Sequence, residues 1–336
     1  MQLSKNYFIG VDGGGTKTSC VIGDSTGRII GTVVGEGSNI KSTKPEKVRI
    51  QMFELLNKLI KTSGIKKEQV SGLFIGTAGG DRESDKKTWY DWMKSYFSPH
   101  LCPIQITNDA LPALVSGTFS LNGLVVIAGT GSIAYLVQDN GGRTTRSGGW
   151  GYLFGDNGSG YYIGNEALRF VTKYYDQQGE LVQVERLTQA VLQHYNLQNT
   201  SDIITAVYEQ ENPRTSIASL AMSVLDLAER KYEPAVEIIH QAVSALVELL
   251  TTIFNREKNA RELPIVLCGG LFSNELFFAT FKDAMGKFDN ELYIPSLPPV
   301  VGSYLYALAS EGIALTPKLR IEVTKSWAKV MDEHNL

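Results

Sequence analysis

The stretch FIGVDGGGTKTSC, residues 8–20, places a short apolar run directly before an acid and three glycines. A second apolar run over residues 19–23 follows closely, and Asp24-Ser25-Thr26-Gly27 then has the composition of a turn. The pattern predicts a β-meander whose first turn carries almost no side chains. Because glycine lacks a Cβ, the backbone N–H groups of such a turn are accessible to an anionic ligand.

The residues that follow the meander alternate between helical and extended patterns. Apolar spacing predicts helices at about 45–62 and 84–97, and short apolar runs predict strands at 73–76 and 104–107. A further helix is expected to begin at Asn108-Asp109. This alternation favours an α/β layer.

The plan of the opening segment then appears a second time. LVVIAGTGSIAYLVQDNGGR, residues 124–143, again reads as an apolar strand, a glycine turn, an apolar strand and a second turn. When Gly15-Thr16 is placed on Gly131-Ser132, Asp24 falls on Asn140, so the two hairpins have nearly the same length. We interpret this as a duplication, with two unrelated glycine hairpins as the alternative, and place the domain boundary near residue 118.

Long helical patterns dominate the second half of the chain. One strand is predicted there, at 264–268, and it ends in Gly269-Gly270. The predicted helices lie at about 159–176, 181–194, 216–230, 234–256 and 301–312.

Composition favours a small-molecule ligand. The chain has 336 residues, 43% of them hydrophobic, and its 32 basic and 35 acidic residues give a net charge of -3. Nucleic acid and membranes are therefore not expected as partners. Neither a charged leader nor an apolar run of about 20 residues is apparent, which predicts a cytoplasmic protein.

Cysteine and histidine spacing predicts no disulfide framework and no zinc site. The three cysteines have no CxxC spacing and fit strand packing in a reducing compartment. The four histidines are scattered and are interpreted as structural. These residues are Cys20, Cys102, Cys268, His100, His194, His240 and His334.

The first glycine turn has the residue types of a phosphate site. Asp12 is suited to hold Mg²⁺ directly or through water, Thr16 supplies a hydroxyl and Lys17 a cation. The segment lacks the spacing of a P-loop, and no helix directly follows it as in a dinucleotide fold. A tight hairpin that needs positive φ, with Asp12 as a turn acid, is the structural alternative. Two such turns favour a nucleoside triphosphate clamped between the hairpins.

Five motifs carry a resemblance to a known family: VDGGGTKT, TNDALPA, VIAGTGS, GGWGYLFGDNGSGYYIGNEAL and VLCGGLF. In this order, over nearly the whole chain, they resemble the BadF/BadG/BcrA/BcrD-type ATPases and, within them, the N-acetylglucosamine kinases. GTAGGDRESD, residues 76–85, is also similar to the amino-sugar kinases. The resemblance implies an α/β fold with two ribonuclease-H-like, actin-like ATPase domains flanking a nucleotide cleft. The first would comprise residues 1–118 and a returning helix at about 313–336, and the second residues 119–312.

The resemblance also implies roles for individual residues. Asp109 would be the base that receives the proton of the sugar hydroxyl, and Gly269 and Gly270 would lie by the adenosine. The first phosphate motif would comprise Asp12, Gly13, Gly14, Gly15 and Thr16, and the second Gly129, Thr130, Gly131 and Ser132. The sugar contacts would be Asn39, Gly149, Trp150 and Asp156.

Each of the side chains with an implied sugar role also has a plain structural interpretation. Asp109 and Asp156 both stand at predicted helix starts, where aspartate is a favoured N-cap. Trp150 fits either a core position or an apolar face for a sugar ring. Asn39 is an ordinary loop residue apart from the resemblance.

The function predicted from these observations is that of an ATP- and Mg²⁺-dependent kinase. It would phosphorylate the 6-hydroxyl of an amino sugar, with N-acetylglucosamine preferred and N-acetylmuramic acid and glucosamine as alternatives, in amino-sugar metabolism or cell-wall recycling. Closure of the cleft would exclude water as an acceptor. A homodimer is a further implication of the resemblance.

Three other classes of protein are weighed against the kinase. The iron-sulfur ATPases that activate 2-hydroxyacyl-CoA dehydratases pair cysteines between subunits, a layout that these cysteines do not match. A sugar sensor without turnover would not need the acids and glycine turns that are present. The ROK sugar kinases carry a cysteine-rich zinc signature that this sequence lacks.

Overall fold

The computed structural model describes residues 6–15, 17–40, 43–77, 80, 82–100, 102–179 and 185–334. The chain divides into two compact units. Unit 1 takes residues from 1–122, 137–142 and 295–336, and unit 2 takes residues from 123–136 and 143–294.

Ten strands in the described part of the chain form two five-stranded sheets. The strands are β1 (Tyr7–Gly13), β2 (Lys17–Asp24), β3 (Ile29–Glu36), β4 (Val70–Thr77), β5 (Ile104–Thr107), β6 (Gly123–Ala128), β7 (Ser132–Gln138), β8 (Arg143–Gly148), β9 (Ile265–Cys268) and β10 (Leu292–Tyr293).

The α-helices complete the layers. They are α1 (Pro45–Thr62), α2 (Glu83–Phe97), α3 (Ala110–Thr118), α4 (Gly160–Gln178), α5 (Arg186–Tyr195), α6 (Ile203–Tyr208), α7 (Pro213–Ser219), α8 (Ala221–Glu229), α9 (Glu233–Arg256), α10 (Glu275–Ala284), α11 (Pro299–Ser310) and α12 (Pro317–His334).

The sheet of unit 1 has the order β3-β2-β1-β4-β5. Its first three strands form the predicted antiparallel meander, and β4 and β5 continue it in parallel with β1. The predicted helix α1 buries the residues whose spacing indicated it, among them Val48, Met52 and Leu59. The alternation of strands and helices therefore gives the predicted α/β layer.

The sheet of unit 2 repeats this order. Read from β8, its strands run β8-β7-β6-β9-β10, so β6 takes the place of β1 and β7 that of β2. Both central strands have a parallel neighbour on the other side, β4 for β1 and β9 for β6. The duplication predicted from the glycine hairpins is thus present in the strand topology.

Helix α9 lies in the core of unit 2. Among the described helices, it is the one that is long and apolar enough to cross a membrane, judged by length and composition alone. Its apolar face, which includes Val243, Leu246 and Leu250, is buried in a cluster with strand residues such as Val126 and Leu267. The helix therefore has the amphipathic arrangement of a core helix.

Helix α11 belongs to unit 1, although the sequence analysis assigned its residues to the second domain. The Ser303 hydroxyl donates a hydrogen bond to the Val11 carbonyl at 2.8 Å, and the Tyr304 hydroxyl donates to the Asp24 carbonyl at 2.6 Å. A Cβ on Gly302 would lie 2.8 Å from the Pro112 carbonyl carbon, so glycine allows α11 to approach α3 closely.

The helical pattern at 216–230 forms two helices instead of one. At Leu220, which joins α7 and α8, the amide donates to Ile217, three residues back, where a regular α-helix bonds four residues back. The pattern at 181–194 is α5, which begins at Arg186, and residues 180–184 lie outside the described residues.

Candidate active site

Two carboxylates stand at one edge of the unit 1 sheet. Because β1, β4 and β5 are parallel, their carboxyl ends meet at this edge, where Asp12 pairs with Gly76 and Gly76 with Thr107. Asp109 follows β5. The pKa of Asp12 is raised from its usual 3.8 to about 6, first by burial and then by the negative charge of Asp109, while Lys17 acts to lower it. The two acids are therefore electrostatic neighbours.

Asp109 is not the capping residue that a local interpretation of the sequence suggested. Within the described residues its side chain accepts no capping hydrogen bond from α3. The neighbouring Asn108 side chain accepts instead from the Ala110 amide at 3.1 Å. The start of α3 thus fixes the position of Asp109 without using its carboxylate for the cap.

In the first glycine turn, steric crowding by neighbouring side chains requires glycine at position 13. None of the described glycines at 13, 14 and 15 has a φ between +20° and +160°, so the interpretation as a positive-φ hairpin is wrong. A Cβ on Gly13 would lie 2.5 Å from the Ser38 hydroxyl and 3.2 Å from that of Thr77, whereas a Cβ on Gly15 would meet nothing within 4 Å. The turn at Gly15 is open on one side.

The loop of Asn39 is joined to this turn. The Ser38 amide donates to the Gly14 carbonyl at 3.0 Å, which holds the residue before Asn39 against the glycines. Unit 1 therefore brings together the predicted residues Asp12 to Gly15, Asn39 and Asp109. Thr16 lies outside the described residues.

The second glycine turn joins β6 to β7 in unit 2. The Gly129 amide donates to the Gly131 carbonyl at 2.9 Å, and the Gly160 amide donates to the Gly129 carbonyl at 2.7 Å. The Ser132 hydroxyl donates to the Asn157 carbonyl at 2.7 Å. These bonds hold the N-terminus of α4, the positive end of its dipole, beside the turn.

A cavity of about 380 Å³ opens beside this turn. Its walls include Gly129 and Thr130 of the turn, Gly270 after β9, and Thr215 and Ala218 of α7. Gly269 has φ +98°, and a Cβ there would lie 2.5 Å from the Ala128 carbonyl carbon. Three of the predicted nucleotide residues, Gly129, Thr130 and Gly270, thus line a cavity whose volume lies in the range of small-ligand sites.

The predicted sugar residues of unit 2 lie in the segment after β8. Gly149 has φ +69°, and its amide donates to the Ser132 carbonyl at 3.1 Å. Trp150 is 63% exposed, with the Arg146 guanidinium 4.7 Å from its ring centre. The interpretation of Trp150 as a core residue is therefore wrong, and its ring is available to a ligand.

Asp156 lies at the other end of this segment. It has φ +56°, its side chain is 4% exposed, and its carboxylate binds the Arg214 guanidinium at 2.9 Å. The cap of α4 is Ser159, whose hydroxyl accepts from the Tyr162 amide at 3.1 Å. The interpretation of Asp156 as a helix cap is therefore wrong as well.

The α7 side chains at this site are not predicted by any motif of the sequence. Arg214, Thr215 and Ala218 are far from every glycine motif in the chain and carry no local signal of a ligand. A larger cleft of about 1040 Å³ lies between α5 and α8 and is lined by polar side chains such as His194 and Asp226. It contains none of the predicted ligand residues.

The acids of unit 1 fit a hydrated magnesium ion. Across the described ranges no three or more His, Cys, Asp or Glu side chains are grouped as a metal cage. Mg²⁺ is commonly held by one or two carboxylates together with water and phosphate oxygens. A cation beside Asp12 would also offset the burial and the Asp109 charge that raise the pKa of this carboxyl.

The repeated sheet and its two glycine turns define a two-domain, actin-like ATPase fold. The model of the BadF/BadG/BcrA/BcrD ATPase family matches residues 9–307, and the chain belongs to this family.

Relatives and a solved structure agree with this assignment. The chain is 33% identical over 275 residues to the N-acetylmuramic acid/N-acetylglucosamine kinase of Clostridium acetobutylicum, which covers 80% of this chain and 86% of that protein. It is 33% identical over 326 residues to the N-acetyl-D-glucosamine kinase of Dictyostelium discoideum, over 92% of this chain and 100% of that protein.

The solved structure is that of a Chromobacterium violaceum protein whose assignment as an N-acetylglucosamine kinase is itself provisional. It has a TM-score of 0.69 at 23% identity and covers 90% of this chain and 99% of that one. At this identity the likeness concerns the fold.

Proposed function

We propose that this protein is an ATP-dependent kinase that phosphorylates the 6-hydroxyl of an amino sugar, with N-acetylglucosamine as the preferred acceptor. The observation that carries the proposal is the pair of acids, Asp12 and Asp109, at the strand edge beside the open glycine turn. Phosphoryl transfer depends mainly on positioning and on neutralising charge, so two placed carboxylates and bare backbone N–H groups are sufficient.

Asp109 is proposed as the general base. It would accept the proton of the sugar hydroxyl while the hydroxyl oxygen bonds to the γ-phosphorus and the bond to the β-phosphate oxygen breaks, which releases ADP. Since Asn108 caps α3 in its place, the Asp109 carboxylate is not needed for the helix start. Asp12, on β1, which β4 separates from β5, would bind the metal ion.

Magnesium, when bound, would neutralise charge on the phosphate oxygens. Asp12 would hold it directly or through water, because this carboxylate is largely buried and its pKa is raised in the absence of a strong cationic partner. Lys17 already offsets part of this effect and, at the end of the same turn, would add a second positive charge near the phosphates.

Unit 2 is proposed to hold the adenosine and part of the sugar. The cavity between Gly129, Ala218 and Gly270 is of a size for the nucleoside, and the amides of the second glycine turn would face its phosphates. The exposed ring of Trp150 would pack against the apolar face of the sugar, and the Asp156 carboxylate would bind its hydroxyls. Asn39, in unit 1, remains a predicted sugar contact.

Sugar-dependent ADP release tests this function. The wild-type protein is assayed with ATP and Mg²⁺ on N-acetylglucosamine, N-acetylmuramic acid, glucosamine, N-acetylmannosamine and glucose. The same assay is made on Asp109→Asn and, as a matched control, on Asp91→Asn, which makes the same change on the exposed face of α2. We expect turnover on one amino sugar that collapses in Asp109→Asn only.

The acceptor profile also separates the alternatives. If the protein prefers N-acetylmuramic acid or glucosamine, the proposed acceptor is replaced and the proposed mechanism is retained. Binding of a sugar without turnover would indicate a sensor, and no response to any sugar would contradict the proposal. The cytoplasmic location and the homodimer remain predictions.

The electron-donating alternative gains no support from the cysteines. Cys20 and Cys102 are buried, Cys268 is partly buried, and none forms a disulfide in the described chain. Burial raises the pKa of Cys102 to about 11, which disfavours the thiolate that an iron-sulfur cluster needs.

A further inference from the structure

The buried ion pair between Asp156 and Arg214 lies directly over the second glycine turn. Arg214 Nη2 is 2.9 Å from Asp156 Oδ2. A Cβ on Gly131 would lie 2.5 Å from that nitrogen and 2.8 Å from that oxygen. Glycine at 131 therefore leaves the space that the ion pair occupies.

Asp156 depends on this partner because it is almost completely buried. A carboxylate that is 4% exposed loses its hydration, and a charged hydrogen bond is the usual compensation. Its backbone is also in the left-handed region, at φ +56°. The position of the carboxylate is thus tied to one guanidinium.

Arg214 is itself firmly placed. It stands in the first turn of α7, which begins at Pro213 and is capped by Asn212, whose side chain accepts from the Thr215 amide at 3.1 Å. The Tyr152 ring is 5.6 Å from the guanidinium carbon. The next residues of α7, Thr215 and Ala218, line the cavity proposed for adenosine.

The geometry points to Arg214 as a positioning residue for sugar recognition, which holds the Asp156 carboxylate in its sugar-binding orientation. This inference rests on the proposed function, because Asp156 is taken as a sugar ligand. The guanidinium is suited to this role since it is planar, always charged and able to make two parallel hydrogen bonds. Its Nε is buried without a hydrogen-bond partner among the described residues, which leaves a donor that bound sugar or water can satisfy.

The first test compares steady-state kinetics of Arg214→Ala and Arg214→Lys with the wild type. Because the change leaves a buried carboxylate without its partner, KM for the sugar should rise about tenfold or more in Arg214→Ala, with KM for ATP nearly unchanged. Arg214→Lys should recover part of the loss. Added guanidine should lower the sugar KM of Arg214→Ala, a rescue that a folding defect would not show.

The second test is a double-mutant cycle with Asp156→Asn. If Arg214 acts through Asp156, Arg214→Ala should add little to the sugar KM of Asp156→Asn. Independent, additive effects would overturn the inference. The matched control is Arg230→Ala, which removes an exposed arginine that pairs with Asp226 in the same unit and should leave the sugar KM unchanged.

The outcomes separate this inference from the proposed function. No sugar-dependent turnover by the wild type would reject the function itself. An active wild type whose sugar KM is insensitive to Arg214→Ala would reject only the positioning role. A rise in KM for ATP, or a loss of kcat, with unchanged sugar KM would also reject it and would place the guanidinium on the phosphates.

Discussion

Asp12 is expected to lower the stability of the ligand-free protein. Its carboxylate is largely buried next to Asp109, and its pKa rises from 3.8 to about 6 on folding. Well below the unfolded pKa of 3.8 the group is protonated in both the folded and the unfolded chain, and it has no effect on the free energy of unfolding. Between this pKa and the folded pKa of about 6 the unfolded chain ionises and the folded protein resists ionisation, so stability falls as pH rises and levels off above about 6.

The size of this effect follows from the two pKa values. A difference of about two units, at about 1.4 kcal/mol each, gives about 3 kcal/mol at pH 7. Asp12→Asn removes the charge while it keeps the shape of the side chain. The variant should therefore be as stable as the wild type at about pH 3 and more stable by about 3 kcal/mol at pH 7, although it should lose activity.

Urea unfolding of both proteins from about pH 3 to about pH 8, without nucleotide or Mg²⁺, measures this difference directly. Asp91→Asn, on the exposed face of α2, is the control; it retains Asp12 and should follow the pH dependence of the wild type. Addition of Mg²⁺ should stabilise the wild type more than Asp12→Asn. A stability difference that stays constant across the pH range would refute the argument that Asp12 is ionised against burial and a neighbouring charge.

Three further substitutions test other parts of the structure. Ala218→Phe fills part of the unit 2 cavity and should raise KM for ATP about tenfold or more, whereas the same change at Ala190, in the larger cleft, should leave it unaltered. Glu185→Ala removes the side chain that accepts from two amides at the start of α5 and should lower the free energy of unfolding by about 1–2 kcal/mol in urea. Gly302→Ala forces α11 away from α3 and should lower the melting temperature, with a loss of about 1–3 kcal/mol.

The strand framework was predictable because its signals are local. The apolar runs of β1 and β6 are short, mostly buried and followed at once by glycine turns, so one sequence pattern marks both. The division between α7 and α8 was not predictable in the same way. No proline or glycine stands at Leu220, and the change of hydrogen-bond spacing there depends on the packing of both helices.

The candidate ligands could be predicted from residue type, but the residues that cap the helices beside them could not. Asp109 and Asp156 both looked like helix caps, and in the structure Asn108 and Ser159 cap those helices. Adjacent polar residues compete for the same amides, and the backbone geometry decides between them. Arg214 was not identified because its ion pair joins residues 58 positions apart in sequence.

The membership of α11 in unit 1 has a consequence for how the protein is made. The hydrogen bonds of Ser303 and Tyr304 to β1 and the end of β2 come from residues translated nearly three hundred positions after their partners. Domains usually fold in the order in which they leave the ribosome. Here the whole of unit 2 emerges before unit 1 has its last layer, so the strand that carries Asp12 waits for α11, and the unit translated first is completed last.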